Sequence, residues 1–139
     1  MEKEIIQKLI GEALEARKKS YCPFSGFSVG AALLAPDGKI FRGCNVEISG
    51  LRAGSCAEST AVFKAVSEGY TEFAAIAVVG APRDQAPAER CAPCGICRQV
   101  LTEFGDLQNF NVILGIDKDN YEVYRLEELL PLAFKRNDC

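Results

Sequence analysis

Phe73-Ala74-Ala75-Ile76-Ala77-Val78-Val79-Gly80 runs without a polar side chain. The run is far shorter than the ~18 residues a membrane span needs. A short, continuous apolar run of this kind reads as a strand covered on both faces. Such a strand needs helices packed on both sides, which sets the class as α/β around one sheet.

Outward from that run, helix and strand signals alternate. Upstream, Ile5, Ile6, Leu9, Ile10, Ala13, Leu14 and Ala16 repeat at the helical period over 2–19. Pro23 and Gly26 break that helix. Strands are expected over 27–35 and 40–47, joined through Pro36-Asp37-Gly38-Lys39 into an antiparallel hairpin. A helix over 56–68 follows, with Ser55 as its N-cap and Gly69 at its end. Downstream, a loop over 81–92 leads to a helix from about 94 to 104. Strands over 111–116 and 121–124 come next, then a short helix over 126–130 stopped by Pro131. The turn 117–120 is too short for a parallel crossover, so the last two strands are antiparallel. The order α-β-β-α-β-α-β-β-α predicts one mixed five-stranded sheet flanked by helices, in a single domain spanning 1–139.

Composition narrows the function classes. The chain is 48% hydrophobic and 25% charged, ordinary for a folded globular protein. Its net charge is −3 and its longest basic cluster is Arg17-Lys18-Lys19. That balance argues against a nucleic-acid partner and against a highly phosphorylated substrate. No apolar run is long enough for a membrane span, and the charged start Met1-Glu2-Lys3-Glu4 does not open a signal peptide. There are seven Cys and no His. An odd cysteine count without a secretory signal points to a reduced, cytoplasmic setting rather than a disulfide framework. The lack of His excludes a Ser-His-Asp triad, a Cys-His pair and any His-ligated metal within one chain. A bound metal must be held by thiolates or carboxylates.

Two stretches concentrate such donors: Ser55-Cys56-Ala57-Glu58 and Pro93-Cys94-Gly95-Ile96-Cys97. Each begins a helix that directly follows a strand. If the strands over 40–47 and 73–80 run parallel, both helices start at the same sheet edge, where ligand sites of open α/β sheets form. Helix N-termini favour thiolate over thiol. Three thiolates leave the fourth position of a tetrahedral zinc open for water. Glu58, two residues from Cys56, could then move that water's proton. Rival readings use the same residues. Cys94-x-x-Cys97 alone would suit a redox pair of thioredoxin type, but that gives no role to Cys56 and Glu58. A closed four-thiolate zinc or an iron–sulfur cluster would add Cys91 and would not need Glu58. Cys22, Cys44 and Cys139 read as small inert residues.

The chain resembles the small cytidine deaminases, zinc enzymes of the superfamily that removes the amino group from nucleobases. Asn45-Val46-Glu47, Cys56-Ala57-Glu58 and Pro93-Cys94-Gly95-Ile96-Cys97-Arg98-Gln99 match that family's motifs in order, and further matches extend from about Tyr21 to Phe134. The resemblance implies a three-layer cytidine-deaminase-like fold and the family's hydrolysis of cytidine and 2′-deoxycytidine to uridine and 2′-deoxyuridine, a step of pyrimidine salvage. It implies one Zn²⁺ per chain on Cys56, Cys94 and Cys97. Glu58 would take a proton from the attacking water and pass protons to N3 and the departing amino group of cytosine. Asn45 and Glu47 would contact the ribose hydroxyls, Phe27 would pack against the base, and Ala57 would also line the substrate site. Phe134 would reach a neighbour's site within a homotetramer whose active sites are shared. An antiparallel last strand pair is similar to the free-nucleoside branch, whereas the nucleic-acid-editing branch has that pair parallel.

Three features depart from the pattern. Ser59 stands where the family usually has Arg, Leu51 and Arg52 occupy a loop where Tyr is common at 51, and the loop over 81–92 is longer and carries Cys91. Three thiolates and Zn²⁺ sum to −1, so a cation near the sulfurs is expected. Arg52 is the first candidate for that role, with Ser59 offering a hydroxyl only, and Arg98 is the alternative. A deaminase of a related aminated heterocycle, such as a modified cytidine or the blasticidin type, is the runner-up activity.

Overall fold

Every interior position of the central strand is fully buried, with apolar side chains on both faces. The structure is a computed structural model that describes residues 1–50 and 53–136. Its elements in chain order are α1 (Lys3–Arg17), β1 (Phe27–Leu34), β2 (Ile40–Cys44), α2 (Ala57–Ser67), β3 (Ala75–Pro82), α3 (Gly95–Phe104), β4 (Asn111–Gly115), β5 (Tyr121–Arg125) and α4 (Leu126–Leu129). Strand β3 lies two residues later than the apolar run. Phe73 forms only an isolated bridge to Gly105, while Ala81 and Pro82 extend the ladder against Ser28 and Phe27 of β1.

The five strands form one mixed sheet in the order β2-β1-β3-β4-β5. β1 is antiparallel to both β2 and β3, so β2 and β3 run in the same direction with β1 between them. β3 and β4 are parallel, and β4 and β5 are antiparallel, as the short turn requires. This is the expected architecture, and the shared direction of β2 and β3 sends α2 and α3 off the same sheet edge.

Two cores make the layers. On one face, Leu9, Ile10 and Ala13 of α1 pack on Ala32, Ala75, Ala77, Val79 and Ile113. On the other, Ala61, Val62 and Ala65 of α2 and Leu101 of α3 pack on Leu33, Ile76, Val78, Val112 and Leu114. Alternate residues of β3 therefore serve opposite cores. Full burial of a Val or Ile side chain contributes about 1.5–3 kcal/mol, so β3 holds both layers to the sheet.

The seat of α2 depends on Gly43. A Cβ there would lie 2.3 Å from the Ala57 carbonyl oxygen and 2.5 Å from the Ala61 nitrogen. Glycine in β2 thus lets the first turn of α2 rest directly on the sheet. Ser55 is not the N-cap of this helix. Cys56 occupies that position, and Ser55 is held one residue earlier by paired backbone hydrogen bonds with Val46, each 2.9 Å. β2 also stops at Cys44, short of the expected end. Val46 leaves the β1 ladder and bridges Tyr21 and Ser55 instead. Among the described residues, no helix is long and apolar enough to cross a membrane.

Candidate active site

The two N-cap residues that follow β2 and β3 are both cysteines: Cys56 caps α2 and Cys94 caps α3. Because both helices leave the same sheet edge, the two sulfurs meet at 3.9 Å. Cys97, one turn into α3, completes a set whose sulfurs all lie within 4.8 Å of one another. All three are free thiols. Zinc–thiolate bonds of 2.3 Å in a tetrahedron put sulfurs about 3.8 Å apart. The Cys56–Cys94 spacing fits that edge, and the donor set suits zinc. Among the described residues this is the group able to hold a metal, and Cys91 is not part of it.

The electrostatics point the same way. Burial acts against ionisation at Cys94, but hydrogen bonds from the Cys97 backbone and side chain, from Cys56 and from the Ile96 backbone outweigh it. The Cys94 thiol therefore sits below its ordinary value, as a helix N-terminus favours. The expected dipole effect does not prevail at the other two sulfurs. Burial pushes the Cys56 thiol up, and burial followed by the nearby Glu58 pushes Cys97 well above the usual thiol range. Three clustered thiols cannot all ionise without a compensating cation. A divalent metal held by the three sulfurs would supply it.

Glu58 is 4% exposed, on the second residue of α2. Burial raises its carboxyl above the ordinary value, and hydrogen bonds from its own backbone and from Cys97 offset only part of this. Beside it, the Ser59 hydroxyl lies 3.3 Å from Cys97 Sγ, with both residues buried. Arg98 donates instead to the carbonyls of Pro93 at 2.8 Å and Leu129 at 2.6 Å, so its guanidinium is engaged with backbone oxygens. Arg52 lies outside the described residues.

A cavity of about 980 Å³ opens from Cys56 toward Asn45, Glu47, Ser25 and Ile96. Asn45 follows the end of β2 and is tied back to β1, accepting from the Val29 N–H at 2.9 Å and donating to the Phe27 carbonyl at 2.9 Å. One amide hydrogen and one lone pair of Asn45 are left for a ligand. Glu47 accepts from the backbone N–H groups of Phe24 and Ser25 and from the Ser25 hydroxyl. Those bonds, the Ser25 hydroxyl first, hold its carboxyl below the usual range.

Phe27 is 39% exposed at the start of β1. Its ring and the Cys91 thiol crowd over Gly80, where a Cβ would come within 3.0 Å of Phe27 Cε2 and 2.8 Å of Cys91 Sγ. Burial pushes the Cys91 thiol up to about 11, with Glu58 and Cys56 adding to the effect. Ala57 is fully buried, so its side chain is core and its backbone is what it can offer a ligand. Phe134 is 61% exposed and, like Phe27 and Ala57, is not among the residues lining the cavity of the single chain. Its carbonyl accepts from Gln99 Nε2 at 3.0 Å. The structure thus brings Cys56, Cys94, Cys97, Glu58 and Ser59 together and sets Asn45 and Glu47 in the cavity that reaches Cys56, but leaves Phe134 apart. Sequence reasoning missed Ser25. The signal available was a hydroxyl residue in the Pro-and-Gly turn just ahead of Phe27.

The comparisons with known proteins agree with this arrangement. Residues 3–113 match the family model described as the cytidine and deoxycytidylate deaminase zinc-binding region. The cytidine deaminase of Sporosarcina psychrophila is 46% identical over 96% of this chain and 93% of that protein. The cytidine deaminase of Halalkalibacterium halodurans is 44% identical, covering 95% and 96%. The crystal structure of cytidine deaminase from Burkholderia pseudomallei superposes with a TM-score of 0.82 at 46% identity, over 91% of this chain and 97% of that one. With the match spanning both thiolate stretches and the sheet that joins them, the chain belongs to the zinc-binding cytidine and deoxycytidylate deaminase family.

Proposed function

We propose that this chain hydrolyses cytidine and 2′-deoxycytidine to uridine and 2′-deoxyuridine and ammonia, with Cys56, Cys94 and Cys97 holding one Zn²⁺. The observation that carries the reading is the buried carboxyl of Glu58 beside three sulfurs within 4.8 Å of one another. When bound, zinc supplies Lewis acidity, the property that makes hydroxide accessible near neutral pH. Glu58 takes the proton of the water that adds to C4 and delivers it to N3. It then carries a proton to the amino group as the C4–N4 bond breaks. Its raised pKa suits a group that must both accept and return protons near pH 7. Asn45 and Glu47 orient the sugar through hydroxyl contacts, and Phe27 packs against the base. Ala57 contributes through its backbone. The Ser59 hydroxyl partners the Cys97 sulfur.

The chain acts as one domain over 1–139, in the cytoplasm, on free nucleosides in pyrimidine salvage. Its partner is a small molecule rather than nucleic acid, in keeping with the net charge of −3. It assembles as a homotetramer with shared sites. Phe24, Ile96 and Phe134 are 65%, 76% and 61% exposed in the single chain, apolar side chains that neighbouring copies would cover. The test is the ultraviolet absorbance change of cytidine with purified protein, alongside metal analysis and sedimentation. Turnover with one zinc per chain in an assembly larger than a monomer is expected. No turnover on either nucleoside, iron with sulfide in place of zinc, or a fully active monomer would each defeat its part of the reading.

A further inference from the structure

Glu47 is held from one side by a single turn. Its Oε1 accepts from the Phe24 N–H at 3.0 Å and the Ser25 N–H at 3.1 Å, and its Oε2 accepts from the Ser25 hydroxyl at 2.5 Å. An ionised carboxylate offers about four acceptor positions. Three are taken by this turn, and the one left is on Oε2, the oxygen that Ser25 orients. The same Ser25 oxygen accepts the Phe27 N–H at 3.0 Å. One hydroxyl therefore joins the residue expected at the sugar to the residue expected at the base. The turn is itself fixed on three sides. The Gly26 N–H donates to the Cys22 carbonyl, Arg83 donates through its backbone to the Gly26 carbonyl, and Glu47 donates through its backbone to the Tyr21 carbonyl. Ser25 also lines the cavity that reaches Cys56.

We propose that Ser25 is a positioning residue for substrate selection. It aims the free acceptor of Glu47 Oε2 at a sugar hydroxyl and keeps that acceptor in register with the Phe27 ring. The inference rests on the reading of Glu47 as a sugar contact. Ser25 is exposed, so removing its hydroxyl opens no core cavity. The depressed pKa of Glu47 accords with three donors holding it as an anion.

The experiment compares kcat/KM on cytidine and on 3′-deoxycytidine for the zinc-loaded wild type, Ser25→Ala, Ser25→Thr and Glu47→Gln, with zinc content and melting temperature as controls for folding. Ser25→Ala is expected to lose roughly tenfold or more on cytidine, the scale of a hydrogen bond to a charged group, and less than about threefold on 3′-deoxycytidine. Ser25→Thr, which keeps the hydroxyl, restores most of the preference for cytidine. If Ser25→Ala falls equally on both substrates, or on neither, while Glu47→Gln loses the preference, Ser25 does not position Glu47 and the inference is overturned. If Glu47→Gln keeps the wild-type preference, the sugar-contact reading itself fails, a result distinguishable from the first. Should Ser25→Ala lack zinc or fold poorly, Ser25→Gly removes the same hydroxyl and is read in the same way.

Discussion

Glu58 and Glu47 carry the same side chain at two ends of the candidate site, one beside the thiol cluster and one in the cavity that reaches Cys56, and their surroundings drive them in opposite directions. Glu58 is buried at the start of α2 among sulfurs, and burial raises its pKa. Glu47 lies past the end of β2, where the Ser25 hydroxyl and two backbone N–H groups lower its pKa. Under the proposed function, such a separation suits Glu58 to moving protons and Glu47 to staying ionised. The first end clusters three thiols that cannot all ionise without a cation. The second is built of groups already satisfied, with one acceptor to spare.

The contrast is broken or sharpened by substitution. Glu58→Gln keeps the fold and one zinc per chain but lowers turnover by roughly 10²–10⁴-fold, the usual contribution of general acid–base catalysis. Steady-state rates with metal analysis check this, and near-normal turnover would identify the wrong base. Glu47→Gln retains zinc and loses about 10- to 100-fold in kcat/KM on cytidine. Loss of zinc from that variant would mean that the two ends are not separable.

Ser59→Ala removes the hydroxyl beside Cys97 and weakens zinc binding or activity by about tenfold, the low end of losses seen when a ligand's hydrogen-bond partner is removed. Competition with a chelator measures it. If zinc affinity is unchanged, the buried hydroxyl is only filling space.

In metal-free protein the two carboxyls give opposite pH signatures. A raised folded pKa favours the fold below the unfolded value of about 4.3 and loses that advantage as pH rises. Glu58→Gln should therefore raise the metal-free melting temperature at neutral pH and not at pH values below about 4. The depressed pKa of Glu47 works the other way, its contribution present above the unfolded value and lost as pH falls through the folded one. An effect of Glu58→Gln equal at both pH values would show that burial of the charged form is not what costs stability there. The smallest effect is expected at Cys91→Ala, with zinc content unchanged and rates within about twofold, since Cys91 is outside the thiol cluster. A fall to partial metal content would revive the closed four-thiolate reading.

Much of the fold was legible because the signals were local. The apolar run of β3, the helical period of α1 and the short turn before β5 each constrain their own backbone, and the structure agrees on element order and strand sense. The boundaries moved where a distant partner decided them. Pro82 joins β3 because Phe27 is opposite it, Val46 leaves the ladder because Tyr21 and Ser55 take its backbone groups, and Cys56 rather than Ser55 caps α2.

The residue types and spacing of Cys56, Glu58, Cys94 and Cys97 were set down in the sequence, and with no His in the chain the soft donors had to be thiols. Spacing along a chain carries no distance between its two halves. The meeting of Cys56 and Cys94 comes from β2 and β3 running the same way on either side of β1, with α2 let down onto the sheet by Gly43. The hold of Ser25 on Glu47 likewise depends on the bridge between Tyr21 and Val46, which brings the 21–26 turn beside Glu47. Local sequence determined the donors. The packing of the sheet decided which of them share a charge environment, because burial and hydrogen bonding are properties of the assembled layers and not of any one segment.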